Sequence, residues 1–203
     1  MIDHLVYGAP DLGAAVDDLE RRLGVRAAPG GRHAGVGTHN ALVALGPRTY
    51  LEVIAPDPDQ PPPPRPRPFG LDGLRAPGLV GWAVGCDDVD AAVARARAAG
   101  HDPGDPVEMT RTTPAGAVLR WRLTANARGG GPVPFLIDWG TTPHPASSAP
   151  PGLTLADLTV EHPDPDGLAA VLRALGAVVT VTAAPVAALV ARVDGPSGST
   201  LLR

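Results

Sequence analysis

Two ionisable side chains stand inside otherwise apolar, strand-like runs: His4 within Ile2 to Gly8, and Glu52 within Thr49 to Ala55. Side chains alternate between the faces of a strand, so Ile2, His4 and Val6 share one face, as do Tyr50, Glu52 and Ile54. Burying an imidazole or a carboxylate among apolar neighbours is costly unless each has a partner. Three readings meet that condition. The pair can ligate a divalent ion such as Zn, Fe, Mn, Ni or Co, which needs at least one further donor. Glu52 can act without metal as a general base beside His4. The two can also form a hydrogen-bonded pair of purely structural origin.

Further candidates surround this pair. The stretch Gly30-Gly-Arg-His-Ala-Gly-Val-Gly-Thr-His-Asn40 is dense in glycine but lacks the GxxxxGK[ST] pattern, and no helical signal follows it, which argues against a nucleotide site. Its glycines suit a tight hairpin. His33 is expected in the exposed turn, while His39 and Asn40 open the next strand and are the better substrate-binding candidates, together with Tyr50. In Val118-Leu-Arg-Trp-Arg-Leu123, Leu119, Trp121 and Leu123 alternate with Arg120 and Arg122. Facing inward, those arginines would bind a carboxylate or phosphate; facing outward they are solvated, the reading that weighs more, and both stay open. Asp138 lies at the end of Pro134 to Trp139, in the place Glu52 holds earlier in the chain, as either a third metal ligand or a strand-end cap.

The elements that must position these groups recur. Ile2 to Gly8 reads as a strand, Asp11 as an N-cap, Leu12 to Leu23 as an amphipathic helix and Gly24 as its stop. The same order returns at Leu79 to Gly100 and at Leu155 to Gly176, each followed by Thr-, Val-, Leu- and Gly-rich sequence long enough for further short strands. The unit is β-α-β-β-β, which makes the chain an α+β protein. Later strands are expected at 31–36, 40–45 and 49–55 in the first unit and at 107–112, 117–124 and 134–139 in the second. The expected organisation is a first module over 1–57, a Pro-rich connector over 58–77, a second module over 78–140, a linker over 141–152 and a third, partial or shorter βαβββ-like module over 153–203. Gln-Pro-Pro-Pro-Pro-Arg-Pro-Arg-Pro within the connector favours extended polyproline conformation and reads as a spacer, with an SH3-type ligand as the alternative.

Composition narrows the function classes. The 203 residues carry 17 basic and 21 acidic side chains, a formal charge of −4. The basic residues are all arginines, scattered rather than gathered into a stripe, which argues against nucleic acid as a partner. The single cysteine, Cys86, excludes an internal disulfide and a cysteine-based zinc site. With no signal-peptide pattern and no apolar run near the roughly 20 residues that span a bilayer, a cytoplasmic protein without membrane attachment is expected.

Taken as a set, Ile-Asp-His-Leu-Val with Pro-Asp-Leu behind it, the Gly-rich stretch ending in Asn40, Tyr-Leu-Glu-Val-Ile, Leu-Arg-Trp-Arg-Leu, and Pro-Phe-Leu-Ile-Asp-Trp-Gly with His144-Pro145 resemble a bacterial-type glyoxalase-like domain of the vicinal oxygen chelate superfamily, over residues 1–145. The resemblance implies paired βαβββ modules in a cupped mixed sheet with helices on its outer face, and a divalent metal held by residues from the first and last strands of each module. His4 and Glu52 match the first-module ligand positions. In the second module Gly81, next to Trp82, stands where a second histidine belongs, leaving Asp138 as the acidic counterpart. The implied function is a lyase, isomerase or related enzyme acting on a small oxygen-rich metabolite, with metal-assisted chemistry at His4 and Glu52. The alternative is a non-catalytic binder, such as an antibiotic-sequestering protein, with Trp121, Trp82 and Tyr50 as a stacking surface. A homodimer is the assembly such relatives suggest.

Overall fold

The computed structural model describes residues 1–124 and 130–203. The first unit runs β1 (Ile2–Gly8), α1 (Leu12–Leu23), β2 (Ala28–His33), β3 (Thr38–Gly46) and β4 (Thr49–Pro56). The second runs β5 (Gly78–Gly85), α2 (Val89–Ala98), β6 (Pro106–Thr112), β7 (Val118–Thr124) and β8 (Phe135–Asp138). The third runs β9 (Thr154–His162), α3 (Pro165–Ala174), β10 (Thr180–Ala183), β11 (Ala188–Gly195) and β12 (Gly198–Leu202). Each helix starts on an aspartate whose carboxylate accepts a backbone N–H of the first turn: Asp11 from Ala14 at 2.8 Å, Asp88 from Ala91 at 2.9 Å and Asp164 from Gly167 at 3.0 Å. A cap of this kind contributes about 1 kcal/mol.

In the first two units the first and last strands pair in parallel, His4 beside Tyr50 and Val6 beside Glu52, then Ala83 beside Phe135. The units join along antiparallel β1 and β5, and again where Arg32 of β2 pairs with Thr112 of β6, closing eight strands into a barrel. That second seam is tight. Gly31 has φ +143, and a Cβ there would collide with the Thr112 carbonyl oxygen, so only glycine lets the strands meet. The strand expected over 31–36 therefore sits earlier, at Ala28–His33, with 34–37 forming the turn.

The third unit repeats the element order but not the wiring. Its sheet runs β10-β9-β11-β12, with β9 parallel to its second strand rather than its last. The hairpin between β11 and β12 brings Gly195 opposite Gly198, a two-residue connection that holds β12 beside β11 and away from β9. Among the described residues, none of this sheet lines the barrel cavity. Leu158, Val160, Ala191 and Val193 join the same core as the outward residues Leu5, Leu51 and Val53 of the barrel and the buried faces of α1 and α2. A separate inward cluster of Val6, Ile54, Trp121, Phe135 and Ile137 lines the barrel interior. Among the described residues no helix is long and apolar enough to cross a membrane.

Candidate functional site

The barrel encloses a cavity of about 400 Å³, within the range of small-molecule sites. His4 and Glu52 both face it, from the paired strands β1 and β4. The His4 Nε2 and Glu52 Oε2 atoms are 3.7 Å apart, beyond a hydrogen bond, so among the described residues each keeps a free functional atom in the cavity. His4 is fixed from behind. Its Nδ1–H donates to Asp3 Oδ1 at 2.7 Å, and its ring stacks on Tyr50 with centroids 4.6 Å apart. Asp3 in turn accepts from His144 Nε2 at 3.1 Å and from the Trp139 indole N–H at 3.1 Å. Burial works against the Asp3 carboxylate, but the hydrogen bonds and charges of His144 and His4 outweigh it and bring its pKa down to about 2. An ionised Asp3 accepts only, which places the ring proton on His4 Nδ1 and turns Nε2 toward the cavity.

Among the described residues Glu52 is held by one hydrogen bond, from Asn40 Nδ2 to Oε1 at 2.6 Å. Asn40 lies on the neighbouring strand β3, and its Oδ1 accepts from Arg111 Nη1 at 3.2 Å. His33 approaches Glu52 Oε1 at 3.9 Å while its Nδ1 meets Thr38 Oγ1 at 2.9 Å. Burial, and then Arg111 and His39, lower the His33 pKa against the opposing pull of Glu52, which keeps that ring neutral. Burial and the charges of Asp3 and Glu52 push the Tyr50 hydroxyl well above its ordinary value, so it stays protonated. Cys86 lies outside the cavity lining, and burial raises its thiol to about 11, far from a reactive thiolate.

Of the residues singled out from sequence, His4, Glu52, Asn40, Tyr50 and Trp121 line one cavity. The others do not. His39 points away from it, because alternation puts its neighbours Thr38 and Asn40 inside, and His33, expected in an exposed turn, is buried there instead. Arg120 and Arg122 lie on the outer barrel face, with Arg122 paired to Asp90 of α2 at 2.5 Å and Arg120 facing Glu108 at 3.9 Å. Asp138 is an odd step from the inward residues Phe135, Ile137 and Trp139; it accepts from Val89 N–H at 3.3 Å and Gly140 N–H at 2.8 Å, as a cap. Trp82 belongs to the outer core, its indole N–H on the Pro132 carbonyl at 2.9 Å.

Sequence reasoning missed Arg111, Asp3, His33 and Phe69. The Pro-rich connector is more than a spacer: Gln60 donates to the Thr38 carbonyl at 3.1 Å, Arg67 to the Gly37 carbonyl at 2.7 Å, and Arg65, Pro68 and Phe69 close over the cavity. Phe69 has φ +59, a conformation that costs a bulky residue roughly 1–3 kcal/mol. That strain holds its ring against Gly81, where an added Cβ would lie 3.1 Å from two Phe69 ring atoms.

The glyoxalase-like domain family matches residues 2–176. The chain belongs to that family. The match reaches beyond the two barrel modules into β9 and α3. A hypothetical protein from Staphylococcus aureus is similar in structure, with a TM-score of 0.58 at 13% identity, covering 98% of this chain and 84% of that one, a likeness of fold. Methylmalonyl-CoA epimerase from Mycobacterium tuberculosis aligns at TM-score 0.46 and 22% identity over 72% of this chain and 91% of its own. The Streptomyces coelicolor epimerase aligns at 0.45 and 19% over 71% and 96%. No curated protein matches in sequence.

The vicinal oxygen chelate superfamily, to which glyoxalase-like domains belong, is associated with metal-chelating chemistry, and here the donor set does not fit it. In the second module Gly81 stands at the histidine position, and the strand pairing puts Phe135 where Glu52 stands in the first. Phe69 and Phe135, with ring centroids 6.1 Å apart, fill that half of the glyoxalase-like cavity with carbon. Among the described residues no three His, Cys, Asp or Glu side chains converge on a metal-sized point.

Proposed function

We propose that the cavity is the active site of a glyoxalase-like enzyme that moves a proton on a small oxygen-bearing metabolite, using Glu52 and His4 rather than a metal cage. The observation that carries this reading is the pair itself: Glu52 Oε2 without a hydrogen bond among the described residues, 3.7 Å from a His4 Nε2 whose ring is locked by Asp3. Glu52 takes the proton from a carbon next to a carbonyl, and the electron pair of the broken C–H bond moves onto the carbonyl oxygen. In its imidazolium form, which the Asp3 carboxylate stabilises, His4 donates through Nε2 to that oxygen and returns to the neutral ring with its proton on Nδ1 toward Asp3. Return of a proton from Glu52 to the same carbon completes exchange with solvent; its return to the former carbonyl carbon, as the adjacent hydroxyl gives its proton to His4, completes an isomerisation. Tyr50, protonated and stacked on His4, supplies a rigid wall rather than a base.

The test is exchange of solvent deuterium into the carbon next to the carbonyl of small 2-oxygenated carbonyl compounds, followed by NMR. Glu52→Gln and His4→Ala are each expected to slow exchange by about 10² to 10⁴. Exchange that persists at the parent rate in both variants, or that never exceeds the buffer rate in the parent, moves the reading to the non-catalytic binder.

A further inference from the structure

Arg111 is, among the described residues, the buried charged side chain of the cavity wall that the acid–base reading leaves unused; Arg65 and Glu108 also line the cavity but are exposed. Arg111 is only 6% exposed and faces the cavity from β6, opposite Leu119 of β7 and two residues along from Met109, which pairs with Trp121. Its Nη1 reaches Asn40, its Nε is buried without a hydrogen-bond partner, and no carboxylate among the described residues pairs with it. A guanidinium presents five N–H donors in a planar fork shaped for carboxylate, and burying its charge unpaired is strongly unfavourable. The chain nevertheless makes room for it. A Cβ on Gly30 would fall 2.6 Å from Arg111 Nη1 and would also strike Asn40 Oδ1, and one on Gly31 would fall 3.0 Å from Arg111 Cγ. The paired glycines that sequence reading assigned to a hairpin clear the path of this side chain.

We infer that Arg111 anchors the carboxylate of the substrate, so the site takes small organic acids with oxygen on the carbon next to the carboxylate. This rests on Glu52 and His4 as the reacting groups, and Asn40 supplies the link: one amide side chain joins Arg111 to Glu52. A carboxylate seated on Arg111 thereby puts its neighbouring carbon beside the Glu52–His4 pair. Trp121, Phe135 and Met109 present carbon to the rest of the molecule, favouring an apolar or aromatic body. A single buried guanidinium matches a monoanion better than a phosphate dianion, which calls for more donors. Exposed Arg65 at the mouth draws anions inward.

The experiment compares mandelate, phenyllactate and phenylpyruvate with mandelamide, phenyllactamide and phenyl phosphate, using calorimetric titration and thermal shift on the full chain. At least one acid is expected to bind saturably, ten or more times tighter than its amide and than phenyl phosphate. Arg111→Met is expected to abolish that preference, Arg111→Lys to restore part of it, and Glu52→Gln to keep it. Without ligand, Arg111→Met should melt at or above the parent temperature, since it removes an unpaired buried cation. Amides binding as tightly as acids, phenyl phosphate binding tighter than every acid, or no acid binding at all overturns the anchor. So does a lowered melting temperature in Arg111→Met with the preference for acids intact. Acids that bind with this preference but never exchange protons leave the anchor standing and overturn the catalytic reading instead.

Discussion

The two barrel modules share an element order and a strand wiring, yet they face the cavity with opposite chemistry. The first contributes His4, Glu52, Asn40, Tyr50 and His33; the second contributes Trp121, Phe135, Met109 and Ile137, with Arg111 as the one buried charge among its described residues. Where β1 carries His4, β5 carries Gly81 under the Phe69 ring, and where β4 carries Glu52, β8 carries Phe135. The repeated scaffold thus carries the groups of the proposed proton transfer in one half and an apolar wall in the other. Fold repetition does not carry functional repetition, because inward side chains change without disturbing the backbone ladder.

That division breaks down if substitutions in the two halves have the same signature. The largest effect expected outside Glu52, His4 and Arg111 is at Asp3, a positioning residue for the first half. Asp3→Asn frees the His4 ring and should lower the proton-exchange rate at saturation by about 10 to 10² while leaving Kd for a bound acid within twofold. The conservative Asp3→Glu should recover part of the rate. The same residue sets a pH signature. Its folded pKa lies below its unfolded value, so the stabilisation is complete above about pH 4 and is lost as pH falls toward about 2. The amount is about 2 kcal/mol, and melting curves of Asp3→Asn should be flatter across that window than those of the parent.

Next in size is the binding half. Trp121→Leu removes the largest cavity-facing side chain of β7 and should weaken acid binding about tenfold, or 1.4 kcal/mol, with the rate at saturation changed less than threefold. A change in rate rather than affinity would place Trp121 in the chemistry and erase the contrast between modules. The smallest effect belongs to Arg122 on the outer face, paired to Asp90. Arg122→Ala should change exchange and binding less than twofold and stability by at most about 0.5 kcal/mol, as for an exposed ion pair.

How much of this was legible in the sequence depended on which physical signal each residue carried. Strand alternation was enough to bring His4, Tyr50, Glu52, Asn40 and Trp121 to one interior, and aspartate caps marked all three helix starts. The same alternation, applied fully, would have turned His39 and Asp138 outward. It would also have found Arg111 as the charged residue on the otherwise apolar Val107, Met109, Arg111 face of β6. Other features were out of reach. Asp3 orients His4 only because His144 and Trp139, some 140 positions later, converge on the same carboxylate. His33 closes β2 just before the turn at 34–37 and so faces the interior rather than the exposed turn, and Phe69 reaches the cavity through a strained backbone within a Pro-rich run that reads as a spacer. The wiring of the third sheet depends on which strands meet, information that element order does not contain.

The central claim is that the first half performs proton transfer with Glu52 and His4 and without a resident metal cage. It is tested most directly by solvent-deuterium exchange into the bound 2-oxygenated acid, measured on the same tag-free preparation before and after exhaustive chelation, with metal content determined in parallel. The account predicts that the parent retains its exchange rate after chelation and that Glu52→Gln loses it with or without chelator. A rate that collapses on chelation and returns on adding one divalent ion, with one ion bound per chain in the parent and none in His4→Ala, would contradict it.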